Sequence, residues 1–73
     1  MILEFTLYIG SLPDEAVPVF ISSNHIISID RLYRMEGENE IQYAEINLEH
    51  GRSYKVKETP EWIATVINAI AAG

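Results

Sequence analysis

The residues of this chain whose types could carry reaction chemistry are His25, His50, a scatter of serines and the glutamates Glu36, Glu38 and Glu40. A zinc centre needs three or four convergent ligands. The two histidines have no third ligand at a recognisable spacing, and they read as ordinary surface residues, His50 in a hairpin turn and His25 in a break between strands. Ser11, Ser22, Ser23, Ser28 and Ser53 fall in turns or on strands, outside any nucleophile-elbow context. Gly10, Gly37, Gly51 and Gly73 are isolated, so no glycine-rich phosphate loop is present. The three glutamates sit in a polar turn where nothing would raise one pKa above another, as general acid work demands. Cysteine is absent, which removes disulfides, thiolate metal sites and a cysteine nucleophile. A non-enzymatic chain with no metal and no cofactor is expected.

Binding chemistry is better represented. The net charge of −6 repels phosphate backbones and anionic lipid surfaces and favours basic protein surfaces. Arg31, Arg34, Arg52, Lys55 and Lys57 are too few for a nucleic-acid track and suit ion pairs with outward acids. The expected docking residues are therefore the acids Glu36, Glu38, Glu40, Glu58 and Glu61, which would steer the encounter. The outward aromatics Tyr8, Tyr33 and Tyr43 would anchor it. Trp62, the single tryptophan, has two readings: a roof over the core, which is how large aromatics commonly serve, or an anchor displayed to a partner. The apolar runs fall far short of the roughly 20 residues that span a bilayer, and the N-terminal stretch, with Glu4 and no basic residue ahead of it, is unlike a secretory signal. A soluble cytoplasmic protein is expected.

The elements that must position these residues are short. Seventy-three residues suggest one domain, 1–73, with a small core. In "ILEFTLYI", Leu3, Phe5, Leu7 and Ile9 alternate with polar residues as in a half-buried strand. "GSLPDEA" reads as a turn. "VPVFIS" is a second strand, with Pro18 favouring an edge or a strand start. "IISIDRLYRM" is a third strand that changes phase, with Ile27 and Ile29 on one face and Leu32 on the other, so a bulge or bend is expected near Asp30 and Arg31. "EGENE" is a polar turn. "IQYAEINL" and "RSYKVK" form a hairpin. A three-residue loop of Glu49, His50 and left-handed Gly51 places Ile46 opposite Tyr54, Ala44 opposite Val56, Glu45 opposite Lys55 and Tyr43 opposite Lys57.

One helix ends the chain. Thr59 suits the N-cap, Pro60 the first helical position, and Glu61 the positive end of the dipole. Ile63, Val66, Ile67 and Ile70 form one apolar stripe, the natural cover for the apolar face of a sheet. The expected fold is α+β: a small bent antiparallel sheet or partly open barrel of four or five strands with one C-terminal helix, Pro60 to Ala71.

The order "PVFISSNHIISID", an acidic turn, then "AEINLEHGRSYKVKETPEWIATVINAI" resembles the small FlbD-like proteins of bacteria and similar short phage proteins. The resemblance runs from about Pro18 to Ile70, mostly through apolar positions and one glycine turn. This chain departs from the FlbD-like pattern in its longer "GSLPDEAVP" and "RMEGENE" segments. Its overall character is also similar to that of small phage regulators that bind host RNA polymerase, including one from a Xanthomonas phage. The resemblance implies a protein-binding regulator, phage-encoded and directed at host RNA polymerase. A FlbD-like accessory of flagellar motility is the alternative it implies.

Overall fold

A computed structural model describes residues 1–9 and 16–72. Five strands and one helix follow in the order β1 (Ile2–Thr6), β2 (Pro18–Ser22), β3 (Ile26–Glu36), β4 (Asn39–Leu48), β5 (Ser53–Val56) and α1 (Pro60–Ala72). Short 3-10 turns at Ser23–His25 and Glu49–Gly51 fill the breaks. The expected turn over Gly10–Ala16 lies, apart from Ala16, outside the described residues.

The strands make two open antiparallel sheets, β1-β2 and β3-β4-β5, which do not close into a barrel. They abut where β1 runs out. Leu7 bridges Val56, Tyr8 N–H donates to the Lys55 carbonyl at 2.9 Å and Lys57 N–H to the Thr6 carbonyl at 2.8 Å. The Thr6 N–H is taken by the Glu58 carboxylate, at 2.9 and 3.2 Å to its two oxygens. Backbone groups that a strand end would leave unpaired are thus satisfied by the segment leading into the helix.

The alternation read from the first strand places Leu3 and Phe5 in the core, with Ile21, Ala44, Ile46, Val56 and Ile63. Helix α1 lays Ile63, Val66, Ile67 and Ile70 on this cluster, which is the expected stripe. Its start is also the expected one: the Thr59 hydroxyl accepts from Trp62 N–H at 3.3 Å, and the Thr59 carbonyl takes the first helical bond from Ile63 at 3.1 Å.

The β4–β5 hairpin has the register the apolar pattern demands, Ala44 opposite Val56, Glu45 opposite Lys55 and Ile46 opposite Tyr54. The expected Tyr43–Lys57 pair does not form. Strand β5 ends at Val56 and Lys57 turns its N–H to Thr6. Gly51 is left-handed at φ 78°, and His50 is too, at φ 71°.

Strand β3 corrects the expectation of a bulge at Asp30 and Arg31. The register slips between Ile26 and Ser28 and then runs unbroken to Glu36 opposite Asn39. Ile27 is therefore the irregular residue and is 66% exposed, while Ile26 and Ile29 pack on the core. The change of phase at Leu32 needs no bend. Leu32 lies on the outer face, opposite Tyr43.

Candidate functional site

Strand β5 pairs only with Ala44–Asn47 of β4, so beyond that point β3 and β4 continue alone as a two-stranded arm. The eleven residues of β3, of which the arm is the distal part, reach about 36 Å at about 3.3 Å each, which accounts for most of the molecule's 40 Å length. The arm turns through Gly37 and Glu38 alone, with Gly37 at φ 63°. Glycine at the first position of a two-residue loop is the type II′ arrangement, whose twist suits the flanking strands.

This geometry spreads the three tip acids. Glu40 is opposite Met35 on the core-facing side of the ribbon, Glu36 is opposite Asn39 on the other side, and Glu38 is at the apex. All three are exposed and form no ion pair among the described residues. They surround the tip rather than lining one face.

The aromatics divide as well. Tyr43 is not a free anchor: its ring stacks on Tyr8 with centroids 4.2 Å apart and planes 10° from parallel. Arg34 Nη1 donates to the Tyr8 hydroxyl at 2.8 Å. That bond is the main cause of the raised Arg34 pKa. Tyr8 and Tyr43 are both half-buried, which corrects the expectation that they are displayed. Tyr33 stays 58% exposed, but on the core-facing side of β3 and not on the outward one, because the arm runs past the helix that would cover it. Met35, two residues further on the same side, is 62% exposed.

Trp62 combines both of its readings. One edge meets Phe5 in a T-shaped contact, centroids 6.2 Å apart and planes at 79°, while 48% of the residue faces solvent. Between Trp62 and Tyr33 stands an ion pair. Both terminal nitrogens of the Arg31 guanidinium donate to Glu61, Nη1 at 3.2 Å to Oε2 and Nη2 to Oε1, and Nη1 also donates to Gln42 at 2.9 Å. The hydrogen bond from Arg31 holds the Glu61 carboxyl below its ordinary value, and the same bond raises Arg31. Glu61 therefore fastens the helix entrance to the base of the arm, and Glu58 is committed to Thr6. Both carboxylates, expected among the docking acids, thus have partners within the fold.

The contiguous surface that remains runs from Met35 and Tyr33 through the Arg31–Glu61 pair to Trp62, with Glu40 and Glu38 beyond it. Met35 was not among the docking residues expected from the sequence. Its signal was the alternation Arg31, Tyr33, Met35, which continues farther than thirteen helical residues can cover.

At the opposite end, a shallow groove of about 550 Å³ lies between β2 and the β4–β5 turn, lined by Phe20, His25, Glu49, His50, Arg52 and Tyr54 among others. His25 Nδ1 is 3.4 Å from Glu49. Among the described residues no three His, Cys, Asp or Glu side chains are grouped to hold a metal ion, and no helix is long and apolar enough to cross a membrane.

The fold and this surface define a small α+β chain of two abutting antiparallel sheets under one helix, with a projecting hairpin. No family model, curated protein or solved structure matches the chain.

Proposed function

We propose that this chain is a non-enzymatic protein-binding module of the bacterial cytoplasm, docking through the core-facing side of its arm and the helix entrance. Tyr33, Met35 and Trp62 are the anchors. Glu36, Glu38 and Glu40 steer a basic partner surface towards them. The observation that carries this reading is the exposure of those three large apolar side chains at 58%, 62% and 48% beside exposed acids that form no close ion pair among the described residues. Aromatic and methionine side chains are enriched at interface cores, and unpaired charge at a rim accelerates association.

The sequence resemblance supports host RNA polymerase as the partner, with this chain as a phage-encoded regulator that alters transcription. The test is binding of the immobilised chain to purified bacterial RNA polymerase at several salt concentrations. Saturable binding whose association rate falls with salt, and falls further when Glu36, Glu38 and Glu40 are reversed to lysine, supports the reading. Polymerase that is not retained at low salt removes the transcription role. A folded Trp62→Ala variant with full affinity removes the proposed anchor.

A further inference from the structure

Strand β3 is a sheet edge. Among the described residues it pairs only with β4, so its other side presents a row of unpaired backbone groups, a template for another strand. Which groups point outward follows from the arm's tip. A two-residue turn closes on a hydrogen-bonded pair, here Glu36 and Asn39, and alternation then turns the N–H and C=O of Ile29, Arg31, Tyr33 and Met35 away from β4. The stretch contains no proline and no glycine, and the one bulge that could twist the edge aside lies at its far end, at Ile27.

The side chains say what would pair there. Lone edges are commonly guarded by charges, but the charges of β3 are complementary to themselves. A second β3 laid antiparallel about a two-fold axis at Leu32 brings Asp30 opposite Arg34 of the second copy, and Arg34 opposite its Asp30. The same register sets Arg31 against Tyr33, and Ile29 against Met35. A joined sheet keeps both core-facing sides together only when positions two apart in phase meet, so the axis can move only by whole residues. Centred on Arg31, it would oppose two arginines. Centred on Tyr33, it would oppose Asp30 and Glu36. The Leu32 register alone pairs opposite charges over a nine-residue overlap from Ser28 to Glu36, and its outward backbone groups fall on the residues that must bond.

We infer that the chain forms a homodimer by antiparallel pairing of β3 with β3 of a second copy, joining two three-stranded sheets into one of six. Pairing consumes the strand's edge and leaves Trp62, Glu38 and Glu40 open, so the dimer presents its outer docking residues twice. The inference does not depend on the identity of any other partner.

Sedimentation of the full chain up to millimolar concentration tests it, with a doubled mass expected. Asp30→Arg and Arg34→Asp should each lose the dimer, and an equimolar mixture of the two should restore it as a heterodimer. Tyr33→Pro removes an outward N–H without touching the β4 ladder and should be a folded monomer by circular dichroism. Hydrogen exchange of the unaltered chain gives a reading free of mutation: the amides of Ile29, Arg31, Tyr33 and Met35 should slow as concentration rises. A wild-type monomer at millimolar concentration overturns the proposal, as do outward amides that exchange fast at every concentration. A dimer that persists in folded Tyr33→Pro, or two folded charge variants that fail to combine, overturns it too.

Discussion

Tyr8 and Tyr43 stack face to face at 4.2 Å, although Tyr8 follows the first strand and Tyr43 lies in the middle of the fourth. With the Arg34 bond to the Tyr8 hydroxyl, the stack pins the chain leaving β1 across the outer side of the arm's base. Aromatic pairs contribute about 0.5–1.5 kcal/mol beyond the area they bury. Tyr8→Ala should therefore lower stability by about 1–2 kcal/mol in urea unfolding, and Tyr8→Phe, which keeps the stack and loses the Arg34 bond, by less than half of that.

Phe5 and Trp62 touch, yet their truncations should differ. Phe5 is fully buried, and Phe5→Ala should cost about 3–5 kcal/mol, enough to unfold a chain of this size. Trp62→Ala loses one edge contact and half a ring's burial, about 1–2 kcal/mol. It should remain folded by near-ultraviolet circular dichroism, so that any lost binding is assignable to the interface.

The Glu58 carboxylate on the Thr6 N–H predicts a cost of about 1.5–3 kcal/mol for Glu58→Ala, since a half-buried backbone donor loses a charged acceptor. Glu58→Gln keeps an acceptor and should recover part of it. Melting midpoints of both variants equal to that of the unaltered chain would show that the charge and the bond to Thr6 carry nothing.

Acid should loosen the helix entrance. Arg31 depresses the folded pKa of Glu61, so this pair's stabilisation is present above the unfolded value of the carboxyl and is lost as pH falls through the lower folded one. Both side chains are solvated and the contribution is small. The stability–pH profile of Glu61→Gln should be flatter than that of the unaltered chain in that acid window, and the two should run parallel above it.

At the β4–β5 turn, a Cβ on Gly51 would meet nothing within 4 Å, so Gly51→Val tests backbone strain alone. It should destabilise by about 1–2 kcal/mol. His50, a non-glycine in the same left-handed region, predicts the opposite sign: His50→Asn should stabilise by about a few tenths of a kcal/mol, because asparagine's short side chain can hydrogen-bond locally in that conformation. Paired urea titrations read both.

Elements whose information is local could be read from the sequence. The Thr59-Pro60-Glu61 start and the Ile63, Val66, Ile67, Ile70 stripe defined the helix, and the apolar set Ala44, Ile46, Val56 admitted one hairpin register. Where two elements distant in sequence meet, the signal vanished. Nothing in Glu58 pointed to Thr6, nothing in Tyr8 to Tyr43, and nothing in Glu61 to Arg31, yet all four of the expected docking residues Glu58, Tyr8, Tyr43 and Glu61 make contacts within the fold. The bulge lies at Ile27 and not near Asp30 and Arg31, because it is Ile27 that leaves the alternation while Leu32 keeps its regular place opposite Tyr43. The acids at the tip could be identified by composition, but their distribution around the ribbon depended on a turn of only two residues.

The junction of the two sheets also sets the order of assembly. Hairpins β1-β2, β3-β4 and β4-β5 each join neighbours in sequence, whereas the Thr6–Glu58 contact closes a separation of 52 residues. Loop-closure entropy opposes such a contact until local structure has shortened the chain between its ends. The ribbons are thus the early events and the splice between Thr6, Leu7 and the Val56–Glu58 segment the late one. Interactions made after the rate-limiting step govern how long the native state lasts and not how quickly it is reached. On that ordering, removing one of the few hydrogen bonds that join the end of β1 to the 55–58 segment should speed unfolding more than it slows folding.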